Sequence, residues 1–136
     1  MTSHDRVSLS LDEDHRILTL RYIGGLGGDV LYAQLLEQFH RISAPWSYDI
    51  LVDTRRYDGV ILASHTEAFG QQWADLAQGR DQGRLMAIIT TDPLIRVRKG
   101  LRTTIFPNHI SEVFATFDEG LDWIMDYRGF SRPINA

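Results

Sequence analysis

Hydrophobic and polar positions alternate at the start of the chain. Val7, Leu9 and Leu11 are interleaved with Ser8 and Ser10, a period of two that marks a half-buried strand at a sheet edge. Asp12-Glu13-Asp14-His15 forms a polar turn, and residues 17–23 read as a second strand, so the first two pair as an antiparallel hairpin. Gly24-Gly25-Leu26-Gly27-Gly28 ends that strand, and Asp29 is placed to cap the helix that follows. In that helix Leu31, Leu35, Phe39 and Ile42 share one face, His40 lies on the opposite face, and Pro45 stops the helical region.

Ile50-Leu51-Val52 is a continuous apolar run before Asp53, as expected of a strand covered on both faces. Thr54 to Gly59 reads as a loop. Ser64 and Glu67 match a capping box at the start of a second helix, whose buried face carries Phe69, Trp73 and Leu76. Leu85-Met86-Ala87-Ile88-Ile89 is another doubly buried strand. Asp92-Pro93 opens a third helix with the stripe Leu94, Val97, Leu101 and Ile105, and Pro107 closes it. Residues 110–115 form a last short strand. Thr116 and Glu119 make a second capping box, before a helix that turns Leu121, Ile124 and Met125 inward, with Trp123 beside them. The expected fold is one α/β domain over residues 1–136. Its core spans about 7–127, and 128–136 form a loose tail without periodicity. Its single mixed, mostly parallel five-stranded sheet carries about four helices in the order β-β-α-β-α-β-α-β-α.

Composition narrows the chemistry. The chain has 136 residues, 43% hydrophobic and 24% charged, which suits one globular domain. It has no cysteine, so thiolate metal sites, a cysteine nucleophile and disulfides are excluded. No nucleic-acid partner is expected at a net charge of -4. The first residues lack an apolar run, and no stretch nears the roughly 20 apolar residues that span a bilayer; a cytoplasmic protein is expected. His4, His15, His40, His65 and His109 show no metal-ligand spacing, so no metal and no cofactor are expected.

This layout resembles the STAS-like family (anti-sigma-factor-antagonist-like domains) over about residues 7–125. Three segments carry the resemblance: Asp12-Glu13-Asp14 between the opening strands, Ile50-Leu51-Val52-Asp53-Thr54-Arg55 entering an Asp-containing loop, and Phe117-Asp118-Glu119-Gly120-Leu121-Asp122-Trp123-Ile124. The last is similar to the closing helix of the bacterial branch that also resembles CRAL-TRIO lipid-binding domains. The resemblance implies a STAS-like fold and a small regulatory or binding module that acts through protein contacts. It also allows a carrier of an apolar or lipid ligand, which would need a cavity between sheet and helices. Sigma-regulating members are switched at the serine of an Asp-Ser-x-Gly motif. Here Asp58-Gly59 is present without that motif, and Ser64, the nearest serine, is accounted for by its capping pattern.

Two surfaces follow from the residues. If strands two to four are parallel, the loops at their carboxyl ends meet, where ligands of open α/β sheets bind. Arg55, Arg56, Gly27, Gly28 and Thr91 would then form an anion site beside helix N-termini, and a small enzyme would use Asp53, Arg55 and Arg56 there. The competing reading pairs Arg55 or Arg56 with Asp53 or Asp58. The glycine loop has neither the lysine of a phosphate loop nor the third glycine of a dinucleotide loop, and it serves equally as a flexible turn. The second surface is the basic face of the third helix, Arg96, Arg98, Lys99 and Arg102 with Ile95, which would meet an acidic partner or anionic membrane, or simply be solvated. Trp46, Tyr48 and Tyr57 are pocket candidates, although aromatics at strand ends are commonly packing. The unpaired edge of residues 7–11 invites a homodimer.

Overall fold

A computed structural model describes residues 5–92 and 106–129. Strands β1 (Arg6–Asp12) and β2 (Ile17–Gly24) form the hairpin, followed by α1 (Gly28–Phe39), β3 (Asp49–Tyr57), α2 (Ala63–Ala77), β4 (Leu85–Ile89), β5 (Ile110–Phe114) and α3 (Phe117–Arg128). The predicted third helix and its basic face, with Ile95, Arg96, Arg98, Lys99 and Arg102, lie outside the described residues, as do residues 130–136. Three α-helices and five strands are therefore described.

The sheet order is β1-β2-β3-β4-β5. Only β1 is antiparallel, against β2; the other neighbours run parallel. Period-two alternation sends Leu18, Leu20, Tyr22, Ile50, Val52 and Met86 to one face, where Leu31, Leu35 and Phe39 of α1 and Phe69 and Trp73 of α2 meet them. Leu51, Leu85, Ala87 and Ile89 point to the other face, against Ile124 of α3. Two covered faces explain the unbroken apolar runs of β3 and β4.

Phe39, Phe69, Trp73 and Phe106, each at most 1% exposed, occupy the space between sheet and helices. Their ring centroids lie 4.9–6.3 Å apart in tilted and edge-on pairs.

The structure corrects several local expectations. The N-cap of α1 is Gly27, and Asp29 sits in the first turn, where its carboxylate accepts from the Val30 amide. At α2 the N-cap is Leu62; its amide donates to His65 Nδ1 at 3.1 Å, so Ser64 caps nothing and is exposed. Strand β3 runs on to Tyr57, which puts Arg55 and Arg56 on a strand and not a loop. Arg128, assigned above to a loose tail, ends α3 as part of the helix. The Thr116–Glu119 box is present in both halves, at 3.2 Å each.

Candidate functional site

Parallel strands bring the carboxyl ends of β2 and β3 together. The Asp58 amide donates to Gly24 O at 2.9 Å, and the Tyr57 hydroxyl donates to Leu26 O at 2.5 Å. Burial raises the Tyr57 hydroxyl pKa, with Tyr32 and Asp58 adding to the shift, so it stays a donor. Beside β3, Thr54 donates to Ile89 O at 2.9 Å, while the Thr90 amide turns to Phe114 O. Thr90 is buried and its hydroxyl accepts from Asp92; Thr91 is exposed.

The cationic side chains at this edge are partly committed. Arg55 holds Asp53 with two hydrogen bonds, Nε to Oδ1 at 3.0 Å and Nη2 to Oδ2 at 2.8 Å. Burial alone would push the Asp53 carboxyl up, but hydrogen bonds from the Arg55 side chain and amide, and the charges of Arg55 and Arg21, hold it below its ordinary value. Arg21 Nε is 4.0 Å from Asp53 and its guanidinium lies 5.4 Å from the Phe117 ring centre. Arg56 is exposed and makes no ion pair among the described residues. The Gly28 amide is taken by Val60 O at 2.9 Å, and a Cβ at Gly28 would lie 2.5 Å from His65 Nδ1. The first turn of α1 is thus closed by the loop before α2. Exposed apolar residues surround this junction: Val30 at 47%, Val60 at 66% and Leu62 at 54%. Asp29, Asp58 and Glu67 are exposed on the same segments.

At the opposite edge, where β2, β3 and β4 begin, the surface opens into a cleft of about 920 Å³. Asp49, 3% exposed, lies at its base. One carboxylate oxygen accepts from the Leu85 amide at 2.8 Å, and the other from Arg128 Nε at 2.7 Å. Arg128 also donates to His15 O and Arg16 O, so one side chain ties the end of α3 to the starts of β2 and β3. Arg16 lies over the Tyr48 ring, 3.9 Å from its centre, and donates to Ser47 and the Tyr48 hydroxyl.

No family model and no curated protein matches the chain. Among solved structures, an uncharacterised DUF3478-family protein with a SpoIIAA-like fold, from Shewanella loihica PV-4, superposes with a TM-score of 0.50 at 24% identity, over 91% of this chain and 98% of that one. This chain has a SpoIIAA-like fold. The STAS-like layout read from strand and helix order is therefore the observed architecture, a mixed sheet with one antiparallel edge strand.

Within the SpoIIAA-like fold, the predicted residues separate. Gly27, Gly28, Arg55 and Arg56 do share one edge, with Thr91 at the end of the neighbouring strand. Yet Arg55 is paired as the competing reading had it, and Gly28 faces another loop. Tyr48 and Tyr57 pack against the hairpin and the glycine loop, and Trp46 lies under Arg80, whose guanidinium carbon is 3.7 Å from its ring centre. The amino-edge cleft was not anticipated. Its one sequence signal was Asp49, an acid directly before the apolar run 50–52, which in a buried strand needs a cationic partner. No group of three or more metal-ligating side chains occurs among the described residues, and no described helix is long and apolar enough to cross a membrane.

Proposed function

We propose that the protein is a STAS-type binding or regulatory module whose working surface is the loop edge around the N-termini of α1 and α2. The observation that carries this reading is the exposure of Val30, Val60 and Leu62 on two segments that the Gly28–Val60 hydrogen bond joins. Three branched apolar side chains in water at one junction are what a protein-contact surface provides. The acidic residues Asp29, Asp58 and Glu67 on the same segments favour a partner with basic side chains around an apolar centre. The junction is also preorganised: the Gly28–Val60 hydrogen bond and the Leu62–His65 bond fix both loops, so little ordering cost falls on binding.

The test is affinity capture from native cytoplasm with the wild-type protein and with Leu62→Glu and Val60→Glu. A protein retained by the wild type and lost with either variant, at unchanged circular dichroism, is the expected result. Equal capture by all three would exclude this surface. Native mass spectrometry of the same sample reads the other class: added mass released on denaturation would identify a carrier.

A further inference from the structure

We propose that the amino-edge cleft is a second binding site, and that its ligand is a small organic anion, a carboxylate or phosphate head on an apolar body. The cleft lies at the far end of the sheet from the loop surface, so this inference does not depend on the protein-contact reading.

The charge arrangement comes first. Arg16, Arg84 and Arg128 line the cleft against two carboxylates, Asp14 and Asp49. Asp49 is already satisfied, since Arg128 pairs with it at 2.7 Å and the Leu85 amide holds its other oxygen. The Arg84 side chain is therefore surplus: its Nε is 3.9 Å from Asp49, and its one side-chain hydrogen bond is a 3.3 Å contact from Nη1 to Ser47 O. Its Nη2 meets no acceptor among the described residues, and the side chain is 41% exposed. A guanidinium held at its inner edge with its outer donors open presents the fork that fits a carboxylate or phosphate.

The rest of the lining gives the ligand its shape. Leu85 and Met125 also line the cleft, and Tyr127 lines it with 57% of its surface exposed. A few fixed polar groups on an apolar wall, in a volume of about 920 Å³, is the make-up of a small-molecule site. The site is rigid where it matters. Arg128 bridges α3 to β2 and β3, and Arg16 is held by Ser47, Tyr48 and the Tyr48 ring. Arg128 is balanced by Asp49 and Arg16 lies 4.0 Å from Glu13, so Arg84 is the cation that supplies the direct contact.

The experiment is an amide chemical-shift titration of the intact protein with phenyl phosphate and, separately, benzoate. Saturable shifts at Ser47, Gly83, Arg84 and Met125 with either probe are expected, and the better probe names the preferred head group. Arg84→Gln should weaken that probe about tenfold, the loss of one charge-assisted contact, while Arg56→Gln at the other edge should leave it unchanged. No saturation at these amides with either probe, shifts centred on residues 55–57, or equal affinity of Arg84→Gln would each overturn the proposal. Failure here leaves the Leu62→Glu and Val60→Glu experiment untouched, because those residues sit at the opposite edge.

Discussion

Asp81, 1% exposed, sits at the centre of a buried polar cluster. It accepts from Trp73 Nε1 at 2.6 Å and Asn108 Nδ2 at 3.1 Å. His109 Nδ1 is 3.4 Å away, and neither of its ring nitrogens has a hydrogen-bond partner among the described residues. Burial lowers the His109 pKa to about 4, against the opposing pull of Asp81 and Asp49. The folded value lies below that of the unfolded chain, near 6.5, so between these values the unfolded chain binds more protons. Stability should therefore be full above pH 6.5 and fall as pH drops towards 4, by about 3 kcal/mol at most. Urea midpoints between pH 4 and 7 read this, and His109→Phe should flatten the slope. Asp53 acts in a lower window: its depressed pKa adds stability that is lost only as pH falls below about 4. Asp81→Ala would leave the buried Trp73 Nε1 and the half-buried Asn108 amide without their acceptor and should cost about 3 kcal/mol in urea unfolding, whereas an exposed aspartate such as Asp75 should show almost no effect.

At the scale of elements, two contacts decide how α3 lies on the sheet. Gly120 lets it approach: a Cβ there would stand 2.6 Å from Ile89 Cδ1 and 3.2 Å from Ala87 Cβ. Gly120→Ala should lower stability by about 1–3 kcal/mol despite alanine's better helix propensity, because the packed Ile89 and Leu51 side-chain ends or the helix itself must shift to admit the methyl. Arg128 fixes the other end. Arg128→Ala would strand the buried Asp49 charge and should cost about 3 kcal/mol, while Arg128→Ala with Asp49→Asn should recover part of it, the coupling being read by a double-mutant cycle. The segment Thr116–Ile124 was legible because its signals are local: a capping box, then apolar residues at helical spacing. The cap of α2 was misread for a related reason. Ser64 and Glu67 matched the pattern, but Val60 is pinned to Gly28 and the helix starts where that contact places it, with Leu62 as cap and His65 as its acceptor.

At the scale of the molecule, β1 is an edge strand whose exposure is partly managed. The Gln38 side-chain amide donates to Val7 O at 3.1 Å, and Gln34 Oε1 lies 3.5 Å from the Val7 amide, so α1 covers the start of the edge. A second copy pairing along β1 would have to displace both glutamines. Sedimentation at micromolar concentration should therefore show a monomer, and Gln34→Ala with Gln38→Ala should shift the balance towards dimer if the edge is otherwise competent.

The sequence by itself determined the described elements and their order. Period-two hairpin strands, doubly apolar β3 and β4, and the helical stripes of α1, α2 and α3 all depend on neighbours in the chain; each of these elements is present, although α1 ends at Phe39, short of Ile42, and β3 runs on to Tyr57. It also put Arg55, Arg56 and the glycine loop at one edge, because parallel strands leave no other arrangement. Tertiary structure alone decided which charges are spent and which remain. Asp53 takes Arg55 from two residues away, but Asp49 is matched from 79 residues away by Arg128. Val60 closes over Gly28 from a loop 32 positions on. Ion pairing and burial depend on distance through space, and hydrophobic periodicity carries no record of which distant side chain arrives.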